Sequence, residues 1–374
     1  MKITRIETIP VRVPIKAAVA IRAGGGGAHL VSPFLLVKVH TDEGIVGLGE
    51  VSCTPRWSGE DQFTAGHFIH SYFAPLLVDQ DPMTEIEQLT GRFTFPVAGN
   101  PFTKAAVEMA LWDIRGKAQG KPVYELLGGR VREFVPTKWS VSGQPPAEAA
   151  AIARAAVERG FTAMKVKVGI DPDGDVARVR AVREAIGPNI KLGVDANGGW
   201  RTAAAAIPVI DRLRDSGIYF VEQPVSPRDI FGLAEVAAAC GLPVIADESV
   251  YTLEDARTLA QAKAASVFSI YVGKAGGIAP AAAIARFAHE HGIACTIGSN
   301  LEMGIGSAAM THLSLAHEGI TAEQYPCDII GPLYYEDDLL REPLPLKPGE
   351  ARAASKPGLG VELDDAKVEK YRVR

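Results

Sequence analysis

Cysteine is scarce and scattered in this chain: Cys53, Cys240, Cys295 and Cys327 are its only four, and no two form a CxxC pair. That argues against a disulfide framework and fits buried thiols in a reducing compartment. Long basic runs are missing as well. With a formal net charge of −5, the chain has no general attraction for nucleic acid or for an anionic membrane surface, so neither is expected as a partner. The opening MKITRIETIPVRVP alternates like a strand and lacks the apolar core of a signal peptide, which makes the cytoplasm the expected compartment. No low-complexity tail or heptad repeat occurs. The glycine run AGGGG lacks the GK[ST] ending of a phosphate-binding loop. Histidines at metal-ligand spacing are absent too. His289 and His291 close a predicted helix, and His312 and His317 are not spaced to share a helix face.

What is present suffices for a large folded enzyme. At 374 residues, 47% hydrophobic and 22% charged, the chain can bury one large core and a smaller second one. MKITRIETIPVRV, PFLLVKVH and GIVGLGEV read as three strands, the last two joined by the turn TDEG. From about Glu60 to Leu127 the spacing becomes helical, most clearly in AAVEMALWDIRGKAQG. Residues 1–125 therefore predict an α+β unit. Beyond Gly129 strands alternate with Ala-rich helices, which predicts a parallel α/β sheet closed into a (β/α)8-type barrel over 126–331. Its strands are expected at 134–141, 161–168, 190–195, 218–222, 243–246, 267–271, 293–297 and 322–325. The remaining 332–374, rich in Pro and charge, is too short for a domain and is expected to pack back on the amino-terminal unit.

The chemistry concentrates at predicted strand ends. Asp195 in KLGVDANG, Glu222 in IYFVEQP and Asp247 in PVIADES follow one another at intervals of roughly one barrel unit. In a barrel such ends converge on a single mouth. Three carboxylates meeting there repel unless a cation joins them, so the ladder reads as a divalent metal site. MKVKVG places Lys165 and Lys167 two apart on a strand, hence on one face. A metal and candidate bases are thus brought together.

In order, ELLGGRVRE, KxK, DAN, EQP, ADES, KAGG and PGLGVELD resemble the enolase superfamily, specifically the group around muconate-lactonizing enzyme and mandelate racemase, over nearly the whole length. The resemblance implies a modified TIM barrel with an α+β cap built from the amino terminus and the returning tail. It implies removal of a proton next to a substrate carboxylate through an ene-diolate, with Lys167 as acid/base and Lys165 as its electrostatic neighbour. Asp195, Glu222 and Asp247 would hold magnesium, or manganese in its place, since hard oxygen donors suit such ions. Asn197 and Glu248 look like partners that orient ligands or lysines. The implied partner is a small-molecule carboxylate, and similar proteins commonly assemble as dimers or octamers.

One departure is informative. Where related enzymes typically present a second lysine opposite KxK, FSIYVGKAGG offers Tyr271, and Lys274 matches a different lysine of the family motif, just before GG. A phenol needs strong perturbation to act as a base at neutral pH. Tyr271 either donates a proton, bonds a substrate oxygen or fills space. A two-lysine racemase is disfavoured, and one-base cycloisomerisation of a diacid or dehydration of a hydroxy acid becomes the leading expectation. Racemisation or epimerisation of an amino-acid derivative is the alternative, and a non-catalytic carboxylate-binding homologue is the alternative of another class. Glu302, in TIGSNLEMG, matches a family glutamate of the barrel mouth. Arg22, His29, Arg56 and Trp57 are candidate specificity residues on loops that would cover the substrate.

Overall fold

Ile9, Val11 and Val13 alternate along the first strand and are buried, so one face of an antiparallel sheet is apolar from the outset. The computed structural model describes residues 1–19 and 30–373. Within it β1 (Ile3–Pro14), β2 (Val31–Thr41) and β3 (Val46–Ser52) form a three-stranded meander. Gly44 supplies the left-handed residue of the β2–β3 turn, at φ 79°. Helix Pro101–Gln119 lies directly on this sheet. A Cβ on Gly49 would stand 1.8 Å from the carbonyl oxygen of Ala106, so glycine is what permits the close approach.

Seven parallel strands follow, hydrogen-bonded in sequence order: β4 (Trp139–Val141), β5 (Ala163–Lys167), β6 (Lys191–Asp195), β7 (Val221–Glu222), β8 (Val244–Ala246), β9 (Val267–Ile270) and β10 (Ala294–Ile297). Helices such as Pro172–Ile186 and Ile278–Glu290 intervene, and their buried Val, Ile and Ala side chains face the sheet. The pattern is that of a modified (β/α) barrel, as the alternation predicts.

Two strand assignments need correction. The stretch expected at 134–141 is broken into Val135–Pro136 and Trp139–Val141, and the first piece pairs with Glu350–Ala351 instead of the barrel. The eighth strand expected at 322–325 is turn. Pro326 lacks an N–H for a ladder, and closure falls to the residues after it. Cys327 bridges Thr137 in parallel, and the Asp328 amide donates to Ile297 at 2.8 Å.

Contacts between the two units include hydrogen bonds from backbone amides to buried carboxyls. Glu50 on β3 accepts from the amides of Met303 and Gly306, and Glu108 accepts from those of Ile278 and Ala279. Both thus cap the starts of helices Gly304–Ala316 and Ile278–Glu290, neither of which has a side-chain cap of its own. Burial pushes Glu50 up to about 8 and Glu108 up to about 7. The tail helix Asp365–Tyr371 lies near β1, and Val11 bridges Arg372. Among the described residues no helix is long and apolar enough to cross a membrane.

Candidate active site

Parallel register brings the acidic ladder together. Lys167 pairs with Asp195 across β5 and β6, and Asp195 pairs with Glu222 across β6 and β7. Asp195 and Glu222 end their strands and Asp247 follows β8 directly, so all three lie at the carboxyl end of the sheet, where barrels keep their chemistry. All three are buried.

The lysines divide by how many acceptors surround them. An ammonium has three hydrogens to donate, whereas a neutral amine has two and a lone pair. Lys165 has three carboxylates around it, donating to Glu222 Oε1 at 2.7 Å and Asp328 Oδ2 at 3.0 Å and ion-paired with Asp195 Oδ2 at 3.1 Å. Burial alone would lower its pKa, but Asp328, Glu222 and Asp195 outweigh this and raise it well above the ordinary range. Lys274 is likewise filled by Asp247 Oδ1 at 2.5 Å, the Asp247 carbonyl at 2.6 Å and the Ser269 carbonyl at 3.0 Å. Lys167 differs. It donates to Asp195 Oδ2 at 2.7 Å and to Asn197 Oδ1 at 2.8 Å, and its side chain is 13% exposed. Two partners leave its third position open to the mouth.

Asn197, in the left-handed region at φ 45°, passes the network on by donating to Glu248 Oε1 at 2.8 Å. The same oxygen accepts from Trp57 Nε1 at 3.1 Å. Burial, then the charges of Asp247 and Asp195, push Glu248 up to about 7. Burial would raise Asp195 too, but the ammoniums of Lys167 and Lys165 hold it below the usual carboxylate range. Glu222 is raised well above that range by burial and then by Asp195, and its Oε2 is buried without a hydrogen-bond partner.

Tyr271 is enclosed. Its hydroxyl donates to Asp247 Oδ2 at 2.6 Å, and its ring stacks on Trp57 with centroids 5.4 Å apart and planes 14° from parallel. The Lys274 ammonium lies 4.2 Å from the ring centroid. The hydroxyl end of the ring lies against Gly298, where a Cβ would come within 2.0 Å of it. Burial pushes the phenol well above its ordinary pKa, and the nearby Asp247 carboxylate adds to this.

The other sequence candidates separate clearly. Glu302 is buried and closes its own loop, accepting from Ser299 Oγ at 2.6 Å and from the Asn300 amide at 3.1 Å. Trp57 overhangs the mouth from the amino-terminal unit, positioned by a loop whose Thr54 Oγ1 accepts from Asn300 Nδ2 at 2.8 Å. Arg56 is exposed on the same loop. Arg22 and His29 lie outside the described residues. Trp57→Ala is expected to cost about 2 kcal/mol in denaturant unfolding, because it removes the stack on Tyr271 and Tyr251 and the bond to Glu248. An unchanged unfolding midpoint would count against that role.

Sequence reasoning missed Lys138 and Asp328, which meet at 3.2 Å beneath Lys165. An acid in CDII was a visible signal, but placing the eighth strand at 322–325 put Asp328 beyond the mouth. Among the described residues no group of three His, Cys, Asp or Glu side chains is arranged to hold a metal ion as it stands. Lysines and Tyr271 satisfy the ladder instead. The donor set nonetheless fits a hard divalent cation: all oxygen, with one carboxylate oxygen of Glu222 left over.

Comparison with known proteins matches residues 3–128 to the mandelate racemase / muconate lactonizing enzyme N-terminal domain and residues 148–367 to the enolase C-terminal domain-like family. The chain is 33% identical to the N-succinyl-L-Arg/Lys racemase of Bacillus cereus, covering 100% of this chain and 98% of that protein. It is 35% identical to muconate cycloisomerase 1 of Rhodococcus opacus, covering 89% of each. The structure of the B. cereus racemase superposes with a TM-score of 0.95 at 32% identity, covering 100% of this chain and 99% of that one. Muconate lactonizing enzyme from Pseudomonas fluorescens, complexed with muconolactone, gives 0.94 at 32% identity, covering 99% of each chain.

Proposed function

We propose a one-base reaction for this chain, which belongs to the mandelate racemase / muconate lactonizing enzyme family of the enolase superfamily and is an enzyme. Lys167 handles the proton on one face of the carbon next to the carboxylate of a small acid. In an elimination it removes that proton and passes it to the hydroxyl that leaves as water, and in a cycloisomerisation it delivers the proton after the second carboxylate has closed on the double bond. The observation that carries this is the contrast among the lysines. Lys165 is 4% exposed among three carboxylates and Lys274 is 1% exposed among three oxygen acceptors, whereas Lys167 has one carboxylate and the Asn197 oxygen, is 13% exposed and is the lysine that reaches the mouth. Asp195 and Asn197 aim its nitrogen, and Asn197 is itself aimed by Glu248.

Asp195, Glu222 and Asp247 are the residues that would hold a divalent cation, with magnesium preferred for an all-oxygen set. Bound there, such an ion acts as a Lewis acid that stabilises the negative charge developing on the substrate carboxylate. Trp57 shields the mouth from water above Tyr271.

Four strands round the sheet from Lys167, Tyr271 donates a hydrogen bond to Asp247 and stacks its ring on Trp57. It is poorly suited to abstract or deliver a proton on the second face. Syn cycloisomerisation of a diacid or syn elimination of water from a hydroxy acid follows. Tyr271→Phe is expected to reduce turnover by less than about tenfold, below the roughly 10²–10⁴ of an acid–base residue. A hundredfold loss would return Tyr271 to the chemistry. A second reading, racemisation or epimerisation of an acylamino acid or dipeptide, is favoured by the full-length likeness to the B. cereus racemase. Turnover in heavy water separates the two. Label confined to one stereochemical position of recovered substrate or product supports the one-base reaction, and exchange with inversion sinks it.

A further inference from the structure

Lys165 occupies oxygens that a bound cation would need. Its ammonium stands 2.7 Å from Glu222 Oε1 and 3.1 Å from Asp195 Oδ2, and a divalent ion on those carboxylates would meet it as a like charge at close range. The ammonium therefore requires somewhere to go that leaves it buried yet compensated. Its third partner supplies this. Asp328 is 4% exposed and bonds Lys165 through Oδ2, while its Oδ1 is buried with no hydrogen-bond partner. An unsatisfied carboxylate oxygen at that depth is costly unless it is used in another arrangement. Asp328 is in turn fixed from below by Lys138, whose ammonium is 3.2 Å from the same Oδ2 and donates to the Pro326 carbonyl at 2.6 Å. Lys138 is 1% exposed and is held between these two acceptors.

We propose that Asp328, anchored by Lys138, is a positioning residue that receives the Lys165 ammonium on its free oxygen when a divalent cation takes Glu222 and Asp195. The acid acts through Lys165, with no contact to the ion. The inference rests on reading Asp195, Glu222 and Asp247 as the cation ligands. It makes Lys165 a mobile counter-charge: it stabilises the carboxylates in the metal-free protein and withdraws to Asp328 in the loaded one.

Manganese binding, read by electron paramagnetic resonance on the full chain, tests this without reference to turnover. Asp328→Asn leaves Lys165 on the ligand oxygens and is expected to weaken Mn²⁺ affinity by about 10- to 100-fold. In a Lys165→Met background the same change is expected to have no effect beyond about twofold, because the ammonium that needed a landing place is gone. A penalty that persists in that background would mean Asp328 acts by bare charge or by structure, and overturns the proposal. So would an unchanged affinity in the single variant. Asp328→Asn strands Lys138. If the single variant does not fold, Lys138→Met/Asp328→Asn is compared with Lys138→Met, and the same difference is expected. Failure of the wild type to bind Mn²⁺ overturns the ligand reading and this inference with it. Wild-type binding with no Asp328 effect overturns the inference alone.

Discussion

Replacing Lys167 by alanine is expected to abolish deuterium uptake from heavy water at the carbon next to the substrate carboxylate, a loss of roughly 10²–10⁴-fold. The fold should survive. Lys167 ends β5, its side chain is partly exposed, and Asp195 keeps Lys165 as a counter-charge when Lys167 is gone. The check is mass spectrometry over hydroxy acids, acylamino acids, dipeptides and muconate-like diacids with magnesium present, beside a thermal melt of the variant. Exchange at the wild-type rate in a folded Lys167→Ala protein would sink the assignment. Uptake lost equally in Lys167→Ala and Lys165→Met would show the pair acting as a unit, one as base and one as cation.

A comparable loss is expected when Glu222 is changed to Gln, or when the divalent cation is stripped with chelator from the wild type. Glu222 sits between Asp195 and Asp247 in the ladder, is fully buried, and has one oxygen unclaimed by protein donors. Replacing its charge by an amide of the same shape keeps the packing while removing a central ligand. A cation held by these carboxylates would supply several kcal/mol of stabilisation to negative charge on the substrate carboxylate, and about 4 kcal/mol corresponds to roughly a thousandfold in rate. Rate measured against added magnesium gives the answer: no rescue of Glu222→Gln at concentrations that saturate the wild type is expected. Turnover indifferent to chelation would remove the ladder from the mechanism.

The ladder and the KxK pair could be read in the sequence because both depend on local rules. Strand residues two apart share a face, and strands about one barrel unit apart end at the same mouth, so Lys165, Lys167, Asp195, Glu222 and Asp247 announce themselves by spacing. Tyr271 could be noticed as a departure but not interpreted. Its role turns on Trp57, from the far end of the chain, and on Gly298 making room beside the ring. The position of Glu302 in TIGSNLEMG points to the mouth, but the bonds that fold it onto Ser299 and Asn300 belong to a loop conformation that its motif does not specify.

By itself, then, the sequence determined the alternation of elements, the order of the acids and the pairing of the two lysines, since periodicity and connectivity decide those before any long-range contact forms. Only the tertiary structure decided which lysine is the more exposed at the mouth. Counting acceptors around Lys165, Lys167 and Lys274 requires knowing that the closing segment after Pro326 brings Asp328 and Lys138 beneath the site, and that Lys274 is turned onto Asp247. The buried charges there are balanced across strands distant in the chain. That balance is a property of packing in a low-dielectric interior, and no local pattern encodes it.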